Sequence, residues 1–149
     1  MTLALAPVLG GATPASAAVI ASNCANYQQK TFPTSGWNTT VSIEVCVQKD
    51  STGVYRARAL VHWVDGGSGK FNNFDLHLRL EKYDVVQKGA VCDFTGEING
   101  QSRGDGFPCE TVWGPGVAGQ MTGDATVLYD LKDDGVGEFR WDLGGSPSM

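Results

Sequence analysis

Strict two-residue alternation dominates this chain. Phe74, Leu76, Leu78 and Leu80 alternate with Asp75, His77, Arg79 and Glu81. Val41, Ile43, Val45 and Val47 alternate with Ser42, Glu44, Cys46 and Gln48. From Val54 to Val64, Tyr55, Ala57, Ala59, Val61 and Trp63 share one parity, and Arg56, Arg58, Leu60 and His62 share the other. Successive side chains of a strand point to opposite faces, so each run predicts a half-buried strand. Runs at the 3.6-residue period of an amphipathic helix are almost absent.

The breaks between the runs carry turn chemistry. Lys49-Asp-Ser-Thr-Gly53 predicts a hairpin between the second and third runs, and Lys132-Asp-Asp-Gly135 predicts another between residues 125–131 and 136–143. One or two short strands are expected between Val85 and Ile98, a glycine-rich loop from Asn99 to Pro108, and a short strand from Cys109 to Trp113. The tail after Leu143 is expected to be exposed. About eight strands at intervals of about ten residues give an all-β fold, an antiparallel β-sandwich.

Four cysteines, Cys24, Cys46, Cys92 and Cys109, fall within this β region with no C-x-x-C spacing. An even count of this kind predicts two disulfides and an oxidising compartment. Four cysteines allow three pairings. The sequential one, Cys24–Cys46 with Cys92–Cys109, is preferred because each pair brackets a local β segment. A loop of that size is worth about 3 kcal/mol in the chain-entropy model.

The first seventeen residues point to the same compartment. They hold no charged side chain, carry an apolar stretch through Leu9, loosen at Gly10-Gly-Ala-Thr-Pro14, and finish Ala15-Ser16-Ala17. Small residues at the −3 and −1 positions suit the shallow pockets of a signal peptidase. Residues 1–17 are therefore expected to be a signal peptide and residues 18–149 a single secreted domain. No Lys or Arg precedes the apolar stretch, so either the start lies upstream or the signal is atypical. The stretch is too short and too broken by Gly and Pro to span a bilayer.

Composition narrows the partners. The formal charge of the chain is −5, and its eleven basic residues are scattered. Nucleic acid needs a basic footprint, and an anionic membrane surface needs one too, so neither is expected.

No catalytic constellation stands out. The chain has two histidines, His62 and His77, both of outward parity, and no G-x-S-x-G elbow. Acidic side chains such as Asp75, Glu81, Asp84, Glu97 and Glu110 offer no distinctive pair for glycoside hydrolysis. No cofactor is implied, and an enzyme is not expected. Asp130, Asp133, Asp134 and Glu138 put four carboxylates near one turn, a set that calcium could use. The EF-hand pattern fails there, because Lys132 stands at the third position, and a plain Asp-Gly hairpin explains the same residues.

Two short motifs carry little. Arg103-Gly-Asp105 is an integrin-type triplet on an expected loop, and Asn38-Thr-Thr40 is a glycosylation acceptor only in a host that modifies it. Loop aromatics are the remaining handle. Trp37, Phe107 and Trp113, with Arg103, are the candidate binding residues, since rigid aromatics anchor sugar rings or protein partners.

The pattern Cys46, Tyr55, Trp63-Val-Asp-Gly-Gly67, Phe74-Asp-Leu76 and Leu80-Glu81 resembles small secreted proteins of actinomycetes. The close, Tyr129-Asp130, Asp134-Gly-Val-Gly137 and Trp141-Asp-Leu-Gly-Gly-Ser-Pro147, is similar to them as well. Such proteins include assembly subunits of secreted antibacterial particles, among them the adaptor of the umbrella toxins. The resemblance covers most of the chain after Ala17. It implies a non-catalytic, β-rich connector that binds sister subunits, and it assigns no residue.

The expectation is therefore a non-enzymatic secreted binding or assembly module with a protein partner, such as a subunit of a secreted particle. Ala18 to Ser22 could pair with a sheet edge of that partner. A carbohydrate-binding module is the alternative, as is a secreted enzyme inhibitor acting through Asn99 to Pro108.

Overall fold

The computed structural model describes residues 17–149. The expected signal segment lies outside them, apart from Ala17. In chain order the elements are β1 (Val19–Cys24), β2 (Gln28–Phe32), β3 (Thr39–Asp50), β4 (Tyr55–Val64), β5 (Phe71–Lys82), β6 (Val85–Asp93), α1 (Thr95–Gly100), β7 (Gly104–Glu110), β8 (Met121–Leu131) and β9 (Phe139–Asp142). No helix among the described residues is long and apolar enough to cross a membrane.

The strands form two antiparallel sheets. In the first, β3 lies between β4 and a divided edge: β1 runs beside Cys46–Asp50 and β2 beside Thr39–Ile43. Strand β7 follows on the far side of β4. The second sheet has the order β6-β5-β8-β9.

The alternating runs meet between the sheets. Val41, Ile43, Val45 and Val47 of β3 and the inward residues of β4 face Phe74, Leu76, Leu78 and Leu80 of β5. Ala125, Val127, Tyr129 and Leu131 of β8 complete that wall. Where Ala57 meets Gly123 the sheets come close enough that a methyl at Gly123 would run into the Cys46 carbonyl. Phe32 fills one end, with its ring edge-on to Phe71, Phe74, Tyr129 and Trp141.

Both disulfides take the expected pairing, Cys24–Cys46 and Cys92–Cys109. Their roles differ. Cys24 and Cys46 are register partners on adjacent strands. Cys92 and Cys109 join β6 to β7, so this bond ties an edge of one sheet to an edge of the other.

The β3–β4 hairpin turns on Asp50. Its carboxylate accepts from the Thr52 N–H at 2.8 Å, the Thr52 hydroxyl at 2.7 Å and the Val54 N–H at 3.2 Å. Burial pushes this carboxyl up, but the hydrogen bonds outweigh it and hold the group below its ordinary value. A depressed folded-state pKa stabilises the fold above the ordinary carboxylate range, and the contribution is lost as pH falls through the depressed value. Thermal melts of Asp50→Asn across the acid range should therefore show a flatter decline than wild type. Parallel declines would remove Asp50 as a source of acid sensitivity.

Several expectations need correction. Among the described residues there are nine strands, in line with the expected all-β sandwich of about eight; β1 and β2 carry no alternating apolar run that would announce them. Strand β2 holds one buried apolar residue in five, Phe32, and owes its form to pairing with β3. Residues 18–22, a segment that could have paired with a partner's sheet edge, are largely engaged in cis, since Val19, Ala21 and Ser22 are paired with β3. The expected loop from Asn99 to Pro108 is the end of a helix followed by a strand. Helix α1 is too short for its period to be read. It forms because Asp93 accepts the Thr95 N–H at 2.8 Å and Ile98 is buried on the core. Strand β7 ends at Glu110, so no strand reaches Trp113.

The tail is exposed at Gly144, Gly145, Pro147 and Ser148, as expected, yet it is tied to β8. Its Leu143 and Ser146 N–H groups donate to Ala125 and Gly123 of β8, and Met149 exchanges both backbone bonds with Met121.

Candidate functional site

The site candidates from sequence divide between opposite ends of β4, where Trp63 pairs with Gly104 and Tyr55 bridges to Gly114. Trp37 and Arg103 belong to the Trp63 end. Trp113 belongs to the Tyr55 end, half-buried, with the Arg56 guanidinium 4.5 Å from its ring centre. Phe107 is not displayed on a loop. It lies in β7 with its ring 4.8 Å from that of Trp63, half-buried against the core. Trp63 is clamped, since a methyl at Gly104 would enter its indole and its Nε1–H donates to the Gln101 carbonyl at 3.0 Å.

Trp37 is the outlier among the aromatics. It is 81% exposed, yet it does not hang on a slack loop. The carbonyl of Trp37 accepts from the Thr34 hydroxyl at 3.1 Å and from the Lys70 ammonium at 2.7 Å. Thr34 also accepts from the Thr39 N–H, and the Thr39 hydroxyl donates to the Asp65 carbonyl at 2.7 Å. Lys70 donates to that same carbonyl at 2.7 Å. Thr34, Thr39 and Lys70 are all buried. The backbone that carries the indole is thus held by two buried side chains, Thr34 and Lys70, and Thr39 ties the neighbouring Asp65 carbonyl, while the ring stands in solvent.

Beside Trp37 opens a cavity of about 420 Å³. Ser35, Trp37, Asp65, Ser68, Lys70 and Ser102 are among the residues that line it. Its volume falls in the range of small-molecule sites. A smaller depression next to it, on the outer face of the first sheet, includes Ser42, His62, Arg103 and Asp105.

That depression holds a contact the sequence did not reveal. His62 Nδ1 lies 3.1 Å from an Asp105 carboxylate oxygen, and its Nε2 lies 3.2 Å from the Tyr27 hydroxyl. The ionised carboxylate can only accept, so Nδ1 donates to Asp105, and Nε2 shares a hydrogen bond with the Tyr27 hydroxyl. Burial raises the Tyr27 pKa, and the charges of Glu44 and Asp105 raise it further, so its hydroxyl stays protonated. The three groups come from β7, β4 and the segment before β2. Only the outward parity of His62 was visible beforehand. The Arg103-Gly-Asp105 triplet is no free loop, because Gly104 opens β7 beneath Trp63 and Asp105 is held by His62.

The acidic hairpin does not gather its carboxylates. Asp130 accepts from Asn72 at 3.3 Å, Glu138 from Asn73 at 3.1 Å, and Asp134 from the Val136 N–H at 2.9 Å. Asp133 takes positive φ at the turn. Among the described residues, one group of three places possible ligand atoms within 4.8 Å of one another: Cys24, Glu44 and Cys46. Its two sulfurs already form a disulfide.

Comparison with known proteins returns no match to a family model, a curated protein or a solved structure. The fold and the cavity therefore define this molecule by themselves: an all-β, two-disulfide sandwich with one solvent-facing tryptophan, held by its backbone carbonyl, beside a polar cavity.

Proposed function

We propose that this chain is a non-enzymatic secreted binding or assembly module, and that it engages a protein partner in an extracellular complex through its Trp37 end. The observation that carries the reading is the mounting of Trp37. A large ring carried on backbone already fixed by buried hydrogen bonds costs little backbone ordering on binding, and such rings supply the dominant contacts of interfaces. Exposed Tyr27 and Val64, with Arg103, extend the contact surface across the adjoining sheet face. The two disulfides suit an oxidising exterior. The resemblance to assembly subunits makes a sister subunit of a secreted particle the natural partner.

Trp37→Ala tests the proposal. Complexes recovered from the producing culture should lose the partner with this variant and keep it with Trp113→Ala, which alters the opposite end. Recovery of the wild-type chain as a free monomer at every salt concentration would defeat the reading. A second reading is a carbohydrate-binding module, which draws support from three serine hydroxyls beside an exposed indole. Failure to be retained on chitin, cellulose and cell-wall glycans would end it.

A further inference from the structure

Lys70 is one of the residues that line the Trp37 cavity, and it is buried, at 8% exposure. Its ammonium has three N–H donors. Two are spent on the carbonyls of Trp37 and Asp65. Among the described residues, no carboxylate forms an ion pair with it. A buried charge of this kind is costly unless an opposite charge completes its surroundings. If pinning the loop were the only task, neutral donors would serve at lower cost. Thr34 already binds the Trp37 carbonyl in that way.

The rest of the cavity is matched to a particular group. Ser35, Ser68 and Ser102 supply hydroxyls that can donate. The Asp65 carboxylate at the exposed rim can only accept, and it takes no hydrogen bond from the described residues. A ligand that fits needs an anion for Lys70, an N–H for Asp65 and an apolar face for Trp37. A neutral sugar lacks the anion. An amino-acid residue that bears a carboxylate, with its amide N–H and its own or a neighbouring side chain, has all three.

We infer that the Trp37 cavity takes a peptidic carboxylate of the partner, with the anion seated on Lys70 and the residue that bears it laid on the Trp37 ring. This rests on the reading of the Trp37 end as the contact surface and names what it recognises. The carboxylate is a chain terminus or an acidic side chain, two sources of the same chemistry.

The test uses small probes on the intact protein. N-acetyl-phenylalanine presents a terminal carboxylate, N-acetyl-aspartate amide presents a side-chain one, and N-acetyl-phenylalanine amide presents none. Glucuronate presents a carboxylate on a sugar ring. The readout is the Trp37 indole N–H resonance during titration. At least one peptidic carboxylate should shift it saturably, about tenfold more tightly than the neutral amide, which is the worth of one charge-assisted hydrogen bond. Lys70→Gln keeps two N–H donors for the two carbonyls and removes the charge, so it should erase that preference. If this variant does not fold, the wild-type contrast between acid and amide decides alone. Equal affinity for acid and amide, or no saturable shift with either acid, overturns the inference. A shift with glucuronate and with neither N-acetyl acid overturns it too. The probes act without the partner, so their failure and failure of the partner to co-purify are separate results.

Discussion

Phe32→Ala is expected to destabilise the fold by about 3–5 kcal/mol, the cost of removing a fully buried aromatic ring and leaving a cavity. Phe32 is the hub of the aromatic cluster. Its ring stands 4.8 Å from that of Tyr129, 5.5 Å from Phe71, 5.8 Å from Phe74 and 6.1 Å from Trp141, every pair near edge-to-face. It also tethers β2, whose other four residues are not buried. Without it, β2 retains its backbone pairing with β3 and polar side-chain contacts such as Gln28 with Gly144 and Thr31 with Thr40, but no buried apolar anchor. Denaturant unfolding measures the loss. Trp37→Ala is the control, since an exposed ring away from the core should change stability by no more than about 0.5 kcal/mol. A Phe32→Ala cost below about 1 kcal/mol would mean that the neighbouring rings collapse into the space, and the cluster would not be the rigid end wall described above.

Removal of the Cys92–Cys109 bond, by changing both residues to alanine, should cost about 3 kcal/mol. The closed loop spans 17 residues, and its closure entropy gives that value. The Cys24–Cys46 loop spans 22 residues, so the same argument assigns it a similar figure. The pairs differ in what else holds them together. β1 and β3 keep their ladder after Cys24–Cys46 is lost, whereas β6 and β7 belong to different sheets. Urea unfolding of the two double variants separates these cases. If loss of Cys92–Cys109 left stability unchanged, the sheets would be held by core packing alone, and the tie across their edges would be redundant.

The strands that were legible in sequence are those with one face in the core and one in water. β3, β4 and β5 announce themselves through inward residues such as Ile43, Val61 and Leu78, because burial of one face imposes the two-residue period. The disulfide pairing was legible on a different ground, since each sequential pair of cysteines brackets a local β segment. Segments held by backbone pairing left no such mark. In β2, Gln28, Lys30 and Thr31 give no apolar period, and the tail from Leu143 to Met149 lies on β8 through N–H and C=O groups that every residue possesses. The candidate site was legible in part for the same reason. Trp37 and Arg103 were visible as residue types. The mounting of Trp37 rests on two carbonyl oxygens, those of Trp37 and Asp65, and a carbonyl has no sequence signature. The His62 contacts unite Tyr27 with Asp105, far apart in the chain, and no local pattern marks such a meeting.

The placement of the disulfides also limits how far the molecule can be drawn out. Each bond converts the chain between its cysteines into a closed ring, and a pull on the two ends passes through the sulfurs and not around the ring. The 22-residue and 17-residue spans are therefore withheld from extension. At about 3.4 Å per extended residue this hides roughly 130 Å of contour. The first ring contains β2, the Trp37 loop and the first part of β3, and the second contains α1 and most of β7. Under tension Ser35, Trp37 and Ser102 would stay within sequestered chain, whereas Asp65, Ser68 and Lys70 lie on the free span between the rings, so a pull on the two ends would draw the two sides of the cavity apart.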